Sequence, residues 1–282
     1  AFVAAVSRFS LMTESIYAEE IQVKIKSMFS LVGAALVLFV SQASLADEFS
    51  ASTGKRPFTA GLGILYADKP YRDFDSDEKS SLVPVILYEG ESFFVRGGSI
   101  GWKFIESNGL EFAAVGEYLA DGYEEGDSDY LRGMDDRDPS FGAGAHVIFN
   151  PDALGFKLAA VTDVADNSDG SQVRGEVFYK YRTGDWMLRP SAGFVWQSDD
   201  YNDYYYGVTN SEARPGRPAY SADDDINYRL GAVAVYQQKT SPWMFLAGLR
   251  YDIFGDEIQD SPIVEEDDQL TAVIGFAYTF GK

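Results

Sequence analysis

Between residues 172 and 182 the chain changes character at every step. Val173, Gly175, Val177, Tyr179 and Tyr181 fall on one side of an extended strand, while Arg174, Glu176, Lys180 and Arg182 fall on the other, with Phe178 among them. The same alternation recurs in twelve short segments from about residue 58 to residue 280, and the apolar rows carry almost no charge. No long apolar helix interrupts them. A soluble β-sandwich would have to explain why a nearly uncharged row returns on every strand. Apolar rows facing lipid and polar rows facing a lumen explain it directly, which predicts an all-β, antiparallel, up-and-down transmembrane β-barrel.

The predicted strands are 58–67, 81–89, 92–96, 99–106, 110–120, 140–150, 154–165, 172–182, 186–197, 226–238, 242–253 and 269–280. Their connections alternate in length. Short turns fall at Glu89-Gly90-Glu91, Ser107-Asn108-Gly109, Asn150-Pro151-Asp152, Arg182-Thr183-Gly184-Asp185 and Lys239-Thr240-Ser241. Longer, mostly acidic loops lie near 68–80, 121–139, 166–171, 198–225 and 254–268. Short turns belong on the periplasmic side and long loops outside. Keeping that order requires an even strand count, so the segment 92–106 is split at Arg96-Gly97-Gly98. Twelve strands result, with ten as the rival count.

Composition narrows the class further. The formal charge of −21 excludes a nucleic-acid binder, since no basic stripe offsets phosphate repulsion. The absence of cysteine removes disulfides, thiol nucleophiles and thiolate metal sites. Aromatic residues, 15% of the chain, gather near strand ends as interfacial girdles do.

The N-terminal region supplies an address. Phe29–Val40 is an apolar run of signal-peptide length, too short to span a bilayer. Lys24 and Lys26 precede it, and Ser44-Leu45-Ala46 follows as a small-x-small cleavage site. Residues 1–46 are therefore expected to be an N-terminal extension and cleaved signal peptide, with Met12 as the better initiator. Residues 47–282 then form a single barrel domain in the bacterial outer membrane. The last strand supports this destination: Leu270, Ala272, Ile274, Phe276, Tyr278 and Phe280 share one face, and only Gly281 and Lys282 follow.

Several local segments together resemble the MltA-interacting (MipA/OmpV) family of outer-membrane proteins. They are Gly61-Leu62-Gly63-Ile64-Leu65-Tyr66, then Asp136-Arg137-Asp138 before Phe141-Gly142-Ala143-Gly144. Tyr205-Tyr206-Gly207-Val208 follows, leading through Glu212-Ala213 to Arg217-Pro218-Ala219-Tyr220. The resemblance spans most of the predicted mature chain. It implies a barrel that scaffolds peptidoglycan turnover, holding a lytic transglycosylase near a penicillin-binding murein synthase.

No catalytic, cofactor or metal site is expected. His146, the single histidine, alternates with Phe141, Ala143, Ala145, Val147 and Phe149 and so points into the lumen, with no serine two residues away to serve as a nucleophile. The lumen candidates are Lys103, Arg174, Lys180, Arg189, Arg229 and Arg250, beside Glu111, Glu117, Asp163, Glu176 and Asp252. Such a basic interior either lines a narrow, anion-preferring channel for small solutes or pairs with its own carboxylates. The paired lumen is favoured. The acidic loops match no EF-hand spacing, and Asp166-Asn167-Ser168-Asp169-Gly170 departs from it, so they are read as solvated surface facing lipid and lipopolysaccharide. Tyr201, Tyr204, Tyr205 and Tyr206 serve either surface adhesion or packing of the longest loop over the mouth.

Overall fold

The computed structural model describes residues 58–74 and 79–281. The expected signal segment, residues 1–46, lies outside the described residues.

Thirteen strands form one antiparallel sheet: β1 (Phe58–Ala67), β2 (Ser80–Glu89), β3 (Phe93–Arg96), β4 (Ser99–Ser107), β5 (Leu110–Leu119), β6 (Ser140–Phe149), β7 (Leu154–Asp163), β8 (Ser171–Tyr179), β9 (Tyr181–Thr183), β10 (Trp186–Gln197), β11 (Asp225–Tyr236), β12 (Trp243–Ile253) and β13 (Asp268–Phe280). β13 pairs with β1 from Phe58↔Phe280 to Ala67↔Thr271, so the sheet closes on itself. The thirteenth strand is an interruption rather than an extra crossing. β8 pairs with β10 at Ser191↔Phe178, and β9 continues in the same register at Leu188↔Tyr181. The break falls where Pro190, which has no amide to donate, comes alongside. Twelve strands therefore span the wall.

The predicted faces hold. Leu62, Ile64, Phe112, Phe156, Leu158, Leu249 and Ile274 are outward and exposed in the isolated chain, forming the lipid surface. Trp186, Trp243, Phe245 and Phe280 extend it toward the turn end, where aromatic rings gather. The interior differs from the expected polar lumen. Leu65, Val83, Val85, Leu87, Met187, Val235, Met244, Leu246, Val273 and Ala277 form a buried apolar cluster inside the barrel. In β2 both rows are largely apolar, and Val273 and Ala277 of β13 join it, so one side of this small lumen is packed like a core rather than wetted.

All five short turns lie at the end marked by Phe58 and Phe280, and the five long loops lie at the other. These loops carry two helices, α1 (Asp199–Tyr206) and the single turn α2 (Asp256–Gln259). They fold over the barrel mouth around Tyr71, Tyr123, Leu131, Tyr201, Tyr205, Tyr206, Ile258 and Ile263.

One stretch of wall is low. β3 has four residues, and its turn into β4 is closed by Gly97 at φ 60°. The pairing of β2 with β3 ends at Leu87↔Arg96, with the Gly97 amide bonding to the Ile86 carbonyl at 3.0 Å. Among the described residues, Ser80–Val85 have no backbone partner on that side.

Closure at β1 and β13 depends on close backbone approach. A Cβ at Gly61 would stand 2.0 Å from the Phe276 carbonyl oxygen, whereas one at Gly116 meets nothing nearer than 3.5 Å. Gly61→Val is expected to block folding and leave the barrel without heat-modifiable electrophoretic mobility, while Gly116→Ala folds as the parent does. Equal folding of both variants would contradict the seam as described.

Candidate functional site

The lumen is built around an arginine that lies beside a turn. Arg96, 2% exposed, reaches both carboxylates flanking it: Nε and Nη2 donate to Glu89 at 3.0 Å each, and Nη1 and Nη2 donate to Glu111 at 2.7 and 2.8 Å. Its guanidinium also lies 3.9 Å from the centre of the Phe94 ring. Lys103 donates to Glu89 at 2.7 Å and meets Glu106 at the same distance. His146 Nε2 sits 2.6 Å from Glu111, and its ring stacks on Phe94. The histidine is thus a member of a buried ionic network, in contact with a carboxylate rather than a serine. Among the described residues, one carboxylate trio comes close enough together to hold a metal, Glu89, Glu106 and Glu111. Arg96 and Lys103 already occupy the space between its members.

The sequence placed Glu89 and Arg96 in turns and missed their role. The signal was strand parity: Arg96 shares a face with Phe94, and Glu89 lies opposite Phe94 in the β2–β3 register.

Most other lumen candidates are also paired. Arg174 bonds Glu117, and Arg189 forks onto Glu176 at 3.0 and 3.1 Å while covering the Phe178 ring at 4.0 Å. Arg229 and Arg250 share Asp252, at 2.5 and 2.7 Å. Lys180 is half-buried at the break between β8 and β9, with its ammonium 5.8 Å from the Phe178 ring.

Above this floor, segments distant in sequence meet in one cap. Arg137 donates to Glu212 at 2.8 and 3.1 Å, to the Tyr204 carbonyl at 2.7 Å and to the Asp135 carbonyl at 2.8 Å. Arg217 donates to the carbonyls of Glu212 and Tyr130, at 2.8 and 2.5 Å. Val208 bridges to Tyr220, whose hydroxyl donates to the Glu257 carbonyl. Ser198 caps the start of α1 by accepting from the Tyr201 amide, and Gly207 ends the helix. A Cβ at Gly207 would stand 2.2 Å from the Asp203 carbonyl, so glycine is required there. Tyr201, Tyr205 and Tyr206 point down into the cap core, and Tyr201 donates to Asp121 at 2.5 Å. Of the four tyrosines, packing rather than display thus occupies these three.

Between cap and floor lies a cavity of about 290 Å³. Tyr201, Tyr206 and Phe254 roof it, and Arg174, Arg229 and Arg250 reach it from below.

Residues 60–280 match the family described as MltA-interacting protein MipA. The chain belongs to this family. It is 30% identical over 241 residues to the outer membrane protein YiaT of Escherichia coli (strain K12), covering 84% of the chain and 97% of that relative. It is equally identical, over 228 residues, to the MltA-interacting protein of the same organism, covering 79% and 90%. Outer membrane protein OmpV of Vibrio cholerae is 30% identical over 212 residues, covering 73% and 80%. Among solved structures, the COG4313 outer membrane channel from Pseudomonas putida F1 aligns with 80% of this chain and 95% of its own, with 9% identity and a TM-score of 0.41. That likeness is too loose to argue from. The MipA family member described here is an outer-membrane β-barrel, and the segments on which the resemblance rested, 136–138, 205–208 and 217–220, are the ones its cap brings together.

The Arg137–Glu212 pair fastens the cap. Burial alone would raise the Glu212 carboxyl, but the amides of Asp135 and Thr209, the Thr209 hydroxyl and Arg137 outweigh it and hold the group at about 2, below the ordinary 4.5. A depressed carboxyl contributes stability above its unfolded value and loses it as pH falls through its folded value. Cap protection is therefore complete above pH 4.5 and fades toward pH 2. Pepsin cleavage within residues 199–225 should rise across that window, and Glu212→Gln should flatten the dependence. Arg137→Ala, which strands a buried carboxylate, should cost about 3–5 kcal/mol of cap stability, read as loop proteolysis at neutral pH with the barrel intact.

Proposed function

We propose that this protein is a closed, non-conducting outer-membrane barrel that serves the envelope as a structural scaffold. The observation that carries the reading is a lumen closed twice. The cap covers the mouth, and beneath it the Arg96 network and the apolar cluster fill the turn-end half of the interior. Buried charges that already satisfy one another offer little to a passing ion. The anion-preferring channel is the rival, and its expected ring of arginines is divided among separate carboxylates. The adhesin reading loses support because Tyr201, Tyr205 and Tyr206 are buried.

Kinship supports the choice of scaffolded partners. A relative bears the name MltA-interacting protein, and the resemblance implies a lytic transglycosylase and a penicillin-binding murein synthase. The periplasmic docking surface would be the rim of five short turns together with any chain preceding β1. Stable docking calls for roughly 1,000 Å² or more of buried area, so the segment before Phe58 is assigned a share of that contact.

Protein extracted from outer membranes and inserted into a planar bilayer should give no steady current, and it should retain a lytic transglycosylase in a pull-down. Steady, charge-selective conductance, changed by Arg189→Glu, would replace the scaffold with the channel.

A further inference from the structure

We propose that the cavity beneath the cap binds the anionic head group of a membrane amphiphile, admitted sideways through the low stretch of wall between β2 and β5. The inference is independent of which enzymes the barrel scaffolds.

The opening follows from strand pairing. In an antiparallel strand the amide and carbonyl of one residue point to the same side, and successive residues alternate. The Ile86 carbonyl faces the β3–β4 turn, so Ser80, Leu82 and Pro84 face the same way. Beyond the turn that edge continues over Ser80–Val85, roughly 20 Å at about 3.3 Å per residue. Pro84 sits where its missing amide is not needed, as prolines do on free edges. Unpaired backbone facing hydrocarbon costs several kcal/mol per group and is tolerated where it borders a wet cavity. The loop end of this edge, Ser80 and Ser81, borders the cavity as one lip, and Tyr118, Leu119 and Ala120 line it from the other.

The interior is suited to an oxyanion. Among the cavity's lining residues Lys69, Lys79, Arg174, Arg229 and Arg250 are basic and Asp121 and Asp252 acidic, with Lys79 paired to Asp68 and Arg174 to Glu117 from outside the lining. Arg229 and Arg250 divide one carboxylate between them. Arg174 Nε is buried without a hydrogen-bond partner, and the Lys69 ammonium donates to the Gly122 carbonyl at 3.3 Å, with Asp121 and Asp127 near it. Two guanidiniums converging on one carboxylate leave donors free for an anion, and guanidinium forks fit carboxylate or phosphate oxygens. Apolar contact continues outward from this charge: Leu65 and Leu119 line the cavity, and Leu82 is 64% exposed on the lipid face of the lip. About 290 Å³ holds a head group and a few carbons, which leaves the rest of an alkyl chain in the leaflet on the loop side.

The test is calorimetric titration of the barrel, purified from membranes in neutral maltoside detergent, with dodecyl phosphate, inorganic phosphate and dodecanol. Dodecyl phosphate should bind at least tenfold more tightly than inorganic phosphate, and dodecanol should not bind. Arg250→Gln, which keeps the Arg229–Asp252 pair, should weaken dodecyl phosphate about tenfold. Ser81→Trp narrows the opening and should weaken dodecyl phosphate while leaving inorganic phosphate unchanged; Ala120→Phe on the opposite lip is the substitute if that variant fails to show heat-modifiable mobility. Absence of dodecyl phosphate binding to the folded barrel would overturn the proposal. Equal binding of the two phosphates, unaffected at either lip, would overturn the sideways route in favour of a soluble anion entering through the cap. Conductance is measured separately, so a failed scaffold reading is not confused with a failed binding site.

Discussion

Backbone hydrogen bonding within hydrocarbon governs this molecule. Each amide and carbonyl at membrane depth needs a partner, so the sheet must return to its first strand. The β1–β13 pairing does this over ten residues, from Phe58 to Ala67. Glycine at 61 lets the two backbones approach, and Pro190 in β10 interrupts the neighbouring arm without shifting its register. Once the sheet is closed, side-chain parity determines the rest: one row meets lipid, and the other must be filled or wetted.

How the inner row is filled sets the character of the interior. Twelve strands enclose too little space to leave long side chains apart and too much for the side chains of one row to close it uniformly. The chain solves this differently on its two sides. Toward the turn end of β2 and β11–β13 the inner row is aliphatic, so burial provides the cohesion there, while nearer the loops β11 and β12 carry Arg229, Arg250 and Asp252. Around β3–β8 it is ionic, and its charges are tolerable because Arg96 satisfies two carboxylates with forked hydrogen bonds while Phe94 covers its face.

Much of the fold was legible because its cause is periodic. Twelve segments, the side on which each loop falls, and the division at Gly97-Gly98 all follow from a period of two and an even strand count. What escaped has non-periodic causes. Glu89 and Arg96 stand next to glycine turns, and composition there suggests surface; their burial is visible only once register sets one strand beside another. The apolar part of the lumen escaped because β2 is largely apolar on both rows, and such a strand carries little alternation to read. The cap escaped in a different way. Arg137, Glu212 and Arg217 were quoted as motif residues, but nothing local says that a guanidinium at 137 meets a carboxylate 75 positions later.

The cap and the low wall are two consequences of the same geometry. Long loops at one end can fold into a polar lid because they lie outside hydrocarbon, where water completes what the chain does not. The lid covers the axial mouth with tyrosines and fastens it with Arg137. A barrel whose mouth is covered by its loops but which carries a four-residue β3 retains one direction in which its interior approaches the membrane. If β3 and β4 had the length of β5, Ser80–Val85 would be paired and Pro84 would remove a ladder bond; the proline and the short hairpin are therefore consistent only with each other. The surplus of arginine over carboxylate occurs at the same level of the barrel, where Arg229 and Arg250 converge on Asp252. In a lumen that elsewhere balances its charges pair by pair, that imbalance beside the single unpaired edge among the described residues marks the place where the structure is built to receive something from outside itself.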